Sequence, residues 1–196
     1  MNFKIDTAQI SKKFIHYLKT AGIAIAVTFT VYLLMRYVGM ITTVDGSSMY
    51  PTLTNADRII VDKISYKIGN PKRYDIIVFE EDLSSSGYYI KRIIGLPGDT
   101  VHIDTEGRIY VNGKRIRDDY GYGMILNRGR AEKEVKVGKN EYFVLGDNRN
   151  NSEDSRFSAV GNVPVEKIFG KARLRLAPVQ KIGYIDLYRK RLRKKN

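Results

Sequence analysis

The sequence predicts a mainly β protein: an antiparallel β-barrel or sheet body behind one N-terminal transmembrane helix. Three observations predict this class. One uncharged and strongly apolar run, TAGIAIAVTFTVYLLM at 20–35, lies near the N-terminus. After it, short segments rich in Ile, Val and Tyr alternate with turn residues, and no amphipathic helical period continues beyond two turns. The chain of 196 residues, 43% of them hydrophobic, is long enough to bury a core.

The apolar run predicts an uncleaved membrane anchor over residues 20–39. Its sixteen uncharged residues span only about 24 Å of the ~30 Å hydrocarbon core, and Lys19 and Arg36 extend it by snorkelling. No small-residue cleavage site follows the run, as a secretory signal requires. A buried core helix is the alternative, but the run is apolar on every face, which favours the membrane.

The flanking charges predict the orientation of this single-pass cell-membrane protein. Four lysines precede the run, while residues 37–56 contain neither Lys nor Arg. By the positive-inside rule, residues 1–19 are cytoplasmic and the body at 40–180 lies on the extracytoplasmic side. Ser48 follows Arg36 by only 12 residues, so the chain at this point stays near the outer membrane surface.

The body is predicted to be built from short strands joined by tight turns. The predicted strands cover 40–45, 58–62, 74–79, 88–96, 100–104, 108–111, 141–145 and 171–176. Asn112-Gly113 between two such segments predicts a hairpin. Residues 117–140 are predicted to be rich in loops, and 163–168 to form a short helical turn.

The net charge of +13 is concentrated at the two ends of the chain. Residues 181–196 carry +6 and residues 1–20 carry +3, which leaves +4 for 21–180. A protein that binds nucleic acid would carry this charge on its folded surface, so no nucleic-acid partner is expected. The basic tail at 181–196 has two interpretations: a solvated, disordered end, or a contact with anionic lipid headgroups.

The composition limits the chemistry that the body can perform. No cysteine is present, which excludes thiol nucleophiles, disulfides and metal sites built on thiolates. The two histidines, His16 and His102, lie in the cytoplasmic segment and in a predicted strand, and no HExxH motif occurs. We therefore expect no Ser–His–Asp triad, no metal and no cofactor.

The remaining activator of a serine nucleophile is a lysine whose pKa is lowered by burial. Lys91 lies in the apolar segment YYIKRIIGLPGD, where strand alternation points it and Arg92 to opposite faces. Solvated charges at a sheet edge are the alternative. Ser48 lies between Gly46 and Pro51 on a stiff turn, and such a turn taken alone is far more often only a turn.

Three motifs in order behind the anchor resemble the signature boxes of bacterial type I signal peptidases of the Gram-positive, Bacillus-like branch. They are SSMYPTL at 47–53, YIKRIIGLPGD at 89–99 and GDNRNNSEDSR at 146–156. The resemblance extends from the anchor to about residue 178. It implies a membrane-bound Ser–Lys serine endopeptidase that removes signal peptides from exported preproteins after small residues, at Ala-X-Ala sites. Without it, the third motif would be interpreted as a polar turn.

The resemblance also implies a role for individual residues. Ser48 matches the nucleophile, whose backbone N–H serves the oxyanion hole, and Lys91 matches the general base. Ser152 matches the residue that hydrogen-bonds and orients the lysine. The supporting residues are the ion pair of Asp154 and Arg156, with Asp147 and Arg149 beside it. The candidates for the shallow apolar substrate pockets are Val44, Met49, Leu53, Tyr89 and Ile90.

One departure from the family concerns Gly46, where some members carry a serine whose hydroxyl helps to hold the oxyanion. The sequence therefore predicts that Gly46→Ser is neutral or activating. The substrate is expected to lie extended against 42–45 and 88–90 as an added strand. The expected partners are the signal peptides of preproteins, the lipid bilayer and the vicinity of the secretion translocon.

Two other function classes remain open at this point. A self-cleaving regulator of the SOS-repressor type would keep the Ser–Lys chemistry, but it requires a DNA-binding helical domain where this chain has an anchor. An anchored β domain that binds partners without turnover requires no nucleophile, and acylation of Ser48 by a serine-directed electrophile would distinguish it from an enzyme.

Overall fold

A computed structural model describes residues 7–80 and 87–185. Helix α1, Thr7–Val38, and the body that starts at Gly39 are separate compact units. Within α1 the stretch Ile15–Leu33 is long and apolar enough to cross a membrane, and all of its side chains are exposed. The helix thus begins well before the predicted anchor at 20–39, and the first strand follows it directly.

The body is mainly β, as the sequence predicts, with twelve strands in its described residues. The strands are β1 Gly39–Thr43, β2 Arg58–Asp62, β3 Ile76–Glu80, β4 Tyr88–Gly95, β5 Thr100–Ile103, β6 Ile109–Val111, β7 Lys114–Arg115, β8 Val135–Lys136, β9 Glu141–Leu145, β10 Val163–Pro164, β11 Ile168–Ala177 and β12 Gly183–Tyr184. The helical elements of the body are α2 Ser65–Ile68 and the 3₁₀ turns Gly129–Glu132, Val165–Lys167 and Val179–Lys181.

All strand pairs are antiparallel, and they form two sheets. The large sheet has the order β1-β2-β11-β3-β4-β9-β10, with β12 also paired to β11, and the small sheet has the order β7-β6-β5-β8. Strand β1 lies at the edge of the large sheet. In β4 the pairing with β9 begins only at Arg92, so Tyr88, Tyr89 and Ile90 pair with β3 alone among the described strands. Two strand edges in this sheet are therefore available to an added strand.

The large sheet is covered on both faces at its centre. In β3, Ile76 and Val78 join the apolar cluster that also contains Val44 and Met49, whereas Ile77 and Phe79 join a second cluster on the other face. This alternation follows from the two-residue period of a strand. A third cluster joins the small sheet to β4 and β9.

The hairpin predicted at Asn112-Gly113 is present and joins β6 to β7. Asn112 has a φ of 52° and Gly113 a φ of 70°, which is the conformation that this residue pair adopts in a two-residue hairpin turn. Residues 117–140 are largely loop, as expected, although they contain the 3₁₀ turn at Gly129–Glu132 and the short strand β8. The predicted helical turn at 163–168 is the 3₁₀ turn Val165–Lys167, preceded by β10.

The C-terminal boundary of the body differs from the prediction. Strand β12 pairs with β11, and Ile185 is buried in the cluster that contains Val44 and Met49. Folded structure thus continues to Ile185, past the expected start of the tail at 181, because β12 pairs with β11 and the Ile185 side chain packs in the core. The rest of the tail at 186–196 lies outside the described residues, as do residues 1–6.

Candidate active site

Ser48 lies on a turn between β1 and β2 that is closed by its own backbone. Val44 N–H donates to the carbonyl of Asp57 at 2.8 Å, and Tyr50 N–H donates to the carbonyl of Ser47 at 3.0 Å. Gly46 has a φ of +86°, a conformation that side-chain-bearing residues rarely adopt. The turn therefore holds Ser48 half-buried at the end of a strand.

Lys91 in strand β4 faces this turn. Its side-chain Nζ donates to Ser48 Oγ at 3.2 Å, and the residue is only 3% exposed. The same Nζ lies 4.7 Å from the ring centroid of Tyr89. The hydroxyl and the amine are thus within proton-transfer distance in a largely water-excluded setting.

Arg92, the next residue in β4, points away from Ser48 and is completely buried. Its Nε and Nη2 donate to the two carboxylate oxygens of Asp147 at 2.8 and 2.7 Å, and Nη1 donates to the carbonyl of Tyr74 at 2.8 Å. The Thr52 hydroxyl also donates to the Asp147 carboxylate. Strand alternation therefore gives one basic residue to the site and the other to a bidentate ion pair beneath it.

The segment 146–156 is bound to the turn that carries Ser48 by backbone and side-chain amide groups. Asn148 N–H donates to the Ser48 carbonyl at 2.9 Å, and Asn148 Nδ2 donates to the Ser47 carbonyl at 3.1 Å. Asn151 Nδ2 donates to Ser47 Oγ at 2.8 Å. A Cβ at Gly146 would overlap Ser152 and lie 2.7 Å from the Ser48 carbonyl oxygen, so a glycine is required for this close approach.

Two further ion pairs fix the segment 146–156 itself. Arg156 binds both carboxylate oxygens of Asp154 at 2.8 Å, and both side chains are buried. Arg149 binds Asp118 from the preceding loop. Burial of Asp118 would raise the pKa of its carboxyl, but the hydrogen bond and charge of Arg149 lower that pKa below its ordinary value. Each arginine thus pairs with a carboxylate that fixes the orientation of the guanidinium group.

A cleft of about 600 Å³ opens beside Ser48 and Lys91. It is lined by residues 42–49, 87–91 and 151–153 and by Val78. Val44 and Met49 form buried parts of its wall, and Tyr89 and Ile90 are half-buried there. The cleft therefore lies between the two strand edges that the sheet leaves available.

Comparison with known proteins identifies the family. The family model "Signal peptidase, peptidase S26" matches residues 14–177. The Signal peptidase I S of Bacillus subtilis is 35% identical over 186 residues, which cover 89% of this chain and 95% of that protein. The chain belongs to the signal peptidase family. It is accordingly a serine peptidase, a hydrolase of peptide bonds, as its motifs predict.

Relatives of the peptidase also occur outside the Bacillus branch. The Probable signal peptidase I-2 of Synechocystis is 43% identical over 147 residues, which cover 72% of this chain but only 65% of that protein. The Signal peptidase I of Leptolyngbya laminosa is 38% identical over 173 residues, 85% of this chain and 81% of that protein. A crystal structure of a signal peptidase I from Enterococcus faecalis is 31% identical, with a TM-score of 0.43, and covers 53% of this chain and 97% of that one.

Most of the residues expected in the site of this peptidase lie together around the cleft, but two do not take the expected place. Ser152 lines the cleft, yet its buried Oγ has no hydrogen-bond partner within the described part of the chain, so the expected bond to Lys91 is not formed here. Leu53 does not line the cleft. Its N–H bonds to the carbonyl of Met49 at 2.9 Å, and this helical turn directs Leu53 into the core, where it is fully buried.

Several residues that hold the site are absent from the prediction based on sequence. Arg92 was assigned no role, although alternation with Lys91 signals a second buried environment in the same strand. Asn148 and Asn151 lie inside a recognised motif but were assigned no contact. Thr52 lies in the first motif, but no local pattern indicates its bond to Asp147, and Asp118 comes from a loop outside the three motifs.

Proposed function

We propose that this peptidase cleaves signal peptides from exported preproteins through a Ser48 acyl-enzyme, with Lys91 as the general base. The observation that carries the proposal is the 3.2 Å hydrogen bond between Lys91 Nζ and Ser48 Oγ, at a lysine that is 3% exposed. Burial disfavours the charged ammonium form, and only the neutral amine can accept the serine proton.

The reaction has two steps, acylation of Ser48 and deacylation. Neutral Lys91 accepts the Ser48 proton as Oγ attacks the carbonyl carbon after a small residue. The tetrahedral intermediate collapses, the C–N bond breaks, and the amine of the mature chain leaves with a proton from the Lys91 ammonium. Neutral Lys91 then takes a proton from water, whose oxygen attacks the ester carbon. The ester C–O bond breaks, the Lys91 ammonium returns its proton to Ser48 Oγ, and the signal peptide leaves with a free carboxyl group.

The oxyanion hole depends mainly on the backbone N–H of Ser48. Gly46 contributes no side-chain donor, and among the described residues other than its two chain neighbours, no atom lies within 4 Å of the position that its Cβ would occupy. One donor of this type contributes about 3 kcal/mol to transition-state stabilisation.

The substrate binds as an extended strand between the edges of β1 and β4. Among the described strands, β1 pairs with β2 alone, and Tyr88, Tyr89 and Ile90 pair with β3 alone, so backbone groups on both sides of the cleft can bond to a peptide. Val44, Met49, Tyr89 and Ile90 form the shallow apolar pockets that admit small side chains such as alanine. Leu53 supports Met49 from the core.

The buried ion pairs keep this geometry in place. Asp154 with Arg156, and Arg149 with Asp118, fix the segment that bonds to Ser47 and Ser48. Asp147 acts in the same support through Arg92. Ser152, at the cleft wall, is the residue that orients Lys91.

Helix α1 anchors the peptidase in the cell membrane, with residues 1–19 in the cytoplasm and the body on the extracytoplasmic side, near the secretion translocon. The apolar stretch Ile15–Leu33 and the lysines that precede it support this topology. A C-terminal tag that is digested by protease in intact spheroplasts is the expected result, and a protected tag contradicts this orientation.

The basic tail strengthens contact with the outer leaflet, since each Lys or Arg near an anionic surface contributes about 1 kcal/mol. Removal of 188–196 should weaken binding to anionic liposomes at low salt. Equal binding with and without the tail contradicts this role.

Cleavage of one preprotein in detergent, with N-terminal sequencing of the product, tests the dyad. We expect Ser48→Ala and Lys91→Met to abolish processing at equal protein level. Ser158→Ala and Lys133→Met make the same chemical changes at exposed positions outside the cleft and should retain activity. Processing by either dyad variant contradicts the mechanism.

A further inference from the structure

Four apolar side chains beside the nucleophile turn are exposed to solvent. Tyr50 is 40% exposed, Tyr122 52%, Met124 58% and Leu126 72%, and we name this set the Tyr122 patch. The rings of Tyr50 and Tyr122 pack edge to face, with centroids 5.0 Å apart. A cluster of large apolar side chains on a surface marks a binding site more often than single exposed ones do.

The segment that carries the patch is held rigidly. Tyr122 N–H donates to the Asp147 carbonyl at 2.7 Å. The Asn150 side chain bonds twice, through Nδ2 to the Met124 carbonyl at 2.8 Å and through Oδ1 to the Leu126 N–H at 3.0 Å. Between them Ile125 is buried in the core at 3% exposure. The segment therefore cannot turn its exposed side chains inward without losing these bonds.

The backbone of Ile125 is also closely packed. A Cβ at Gly107, in the turn between β5 and β6, would lie 2.8 Å from Ile125 N and 3.0 Å from Ile125 O. The turn between β5 and β6 thus packs closely against the backbone of the patch segment. A rigid, solvent-exposed apolar surface of this kind is preorganised for a ligand, since little conformational freedom is lost on binding.

The patch is joined to the active site by two segments of the chain. Along the nucleophile segment the cleft wall ends at Met49, and Tyr50 follows as the first residue of the patch. The segment 146–151 bonds to both sides, to Ser48 through Asn148 and to Leu126 through Asn150. A peptide that extends past Ser48 toward Tyr50 therefore contacts the patch.

We propose that the Tyr122 patch is the subsite for the residues that follow the scissile bond, and that it selects apolar side chains in the first few residues of the mature chain. The inference rests on the proposed function, because it takes Ser48 as the attacking residue. The patch would hold the leaving peptide while its amine receives the proton from Lys91. Tyr122 is here a specificity-determining residue, since it contacts substrate and not the reacting atoms.

The test uses full-length peptidase in detergent and pairs of peptides that are identical up to the scissile bond. The members of a pair differ in one of the second to fourth residues after it, with leucine in one and serine in the other. We expect wild type to prefer leucine in kcat/KM by about tenfold at one of these positions. Tyr122→Ser, and separately Leu126→Ser, should reduce this preference to about twofold or less.

The matched control is Val179→Ser, which removes an apolar side chain that is 76% exposed and lies outside the cleft and the patch. It should keep the wild-type preference. No leucine preference in wild type, or the same preference in both patch variants, overturns the inference. Loss of cleavage in liposomes that is equal for all peptides, with unchanged preference in detergent, also overturns it and assigns the patch to the lipid surface.

Failure of the proposed function gives a different result. If Ser48→Ala or Lys91→Met still cleaves the peptides, the dyad is wrong whatever the patch variants do. If the dyad variants are inactive while the patch variants keep the full leucine preference, the dyad stands and only the subsite is refuted.

Discussion

Replacement of Asp147 by Asn tests whether a buried ion pair holds the catalytic segment. Asp147 accepts two hydrogen bonds from Arg92 at 2.8 and 2.7 Å, and the two side chains are 0% and 1% exposed. The asparagine places its NH₂ group against one N–H of the Arg92 guanidinium. The buried positive charge of Arg92 then has no carboxylate at this position to neutralise it. Breaking such a pair costs about 3–5 kcal/mol. For a body of this size that lowers Tm by about 6–20 °C.

The assay is thermal unfolding of the full-length protein in detergent, followed by circular dichroism, together with preprotein cleavage. Glu132→Gln is the matched control, because it makes the same chemical change in the pair with Arg128, where Glu132 is 61% exposed. An exposed pair contributes about 0–1 kcal/mol, so this variant should melt within about 4 °C of wild type. If Asp147→Asn melts no lower than Glu132→Gln, the buried pair does not hold the fold and the reasoning is refuted.

Three further predictions concern the base, the turn and acid stability. Activity should rise toward alkaline pH, because Lys91 must be neutral, and a flat pH profile of kcat/KM contradicts the role of Lys91. Gly46→Ala and Gly46→Ser should each destabilise the fold by about 1 kcal/mol, because residue 46 has a φ of +86°. The neutral or activating effect that the sequence predicts for Gly46→Ser therefore applies to activity and not to stability. A higher kcat for the serine than for the alanine variant would isolate a second oxyanion donor, and equal values would exclude one. Burial would raise the pKa of Asp62, but hydrogen bonds from Ser65 and Arg173 hold it at about 2, below its ordinary 3.8. Its stabilising effect should be complete above pH 3.8 and be lost as the pH falls toward 2, and an acid-unfolding profile that Arg173→Ala leaves unchanged contradicts this.

The parts of the fold that depend on local pattern could be predicted from the sequence. The Asn112-Gly113 turn, the apolar helix and the strands at 58–62 and 141–145 each have a short-range signal in composition and spacing. The order of strands in the sheet has no such signal, because β2 pairs with β11 from more than 100 residues away. The short strands β8, β10 and β12 have two residues each, too few to show a period.

The site was predictable where one strand or turn carries the chemistry. Alternation in β4 indicated that Lys91 and Arg92 face opposite ways, and the structure shows this. It could not show that both are buried, since that depends on the segments that cover the two faces of β4. The turn with Ser48 lies against Lys91, and Asp147 and Tyr120 lie against Arg92. The partner of Arg92, Asp147, is 55 residues away, and only the folded chain brings them together.

The irregular backbone of segment 146–156 accounts for the ion pairs that are buried beside Ser48 and Lys91. No strand covers 146–156, so its backbone lacks the ladder of hydrogen bonds that fixes β4. Its position is instead set by Arg92, Arg149 and Arg156, each of which makes a charged contact with a carboxylate whose geometry allows few alternatives.

Buried ion pairs of this kind contribute little net stability compared with apolar side chains of the same volume, because both charges must be desolvated. We infer that their role here is geometric. Asn148 must stay within hydrogen-bond distance of the Ser48 carbonyl, and Gly146 must stay against Ser152. The double variant Arg92→Met with Asp147→Leu separates the two roles, since it removes both charges and keeps an apolar filling. It should recover much of the Tm that Asp147→Asn loses while cleavage stays impaired, and recovery of both would show that the pair serves stability alone.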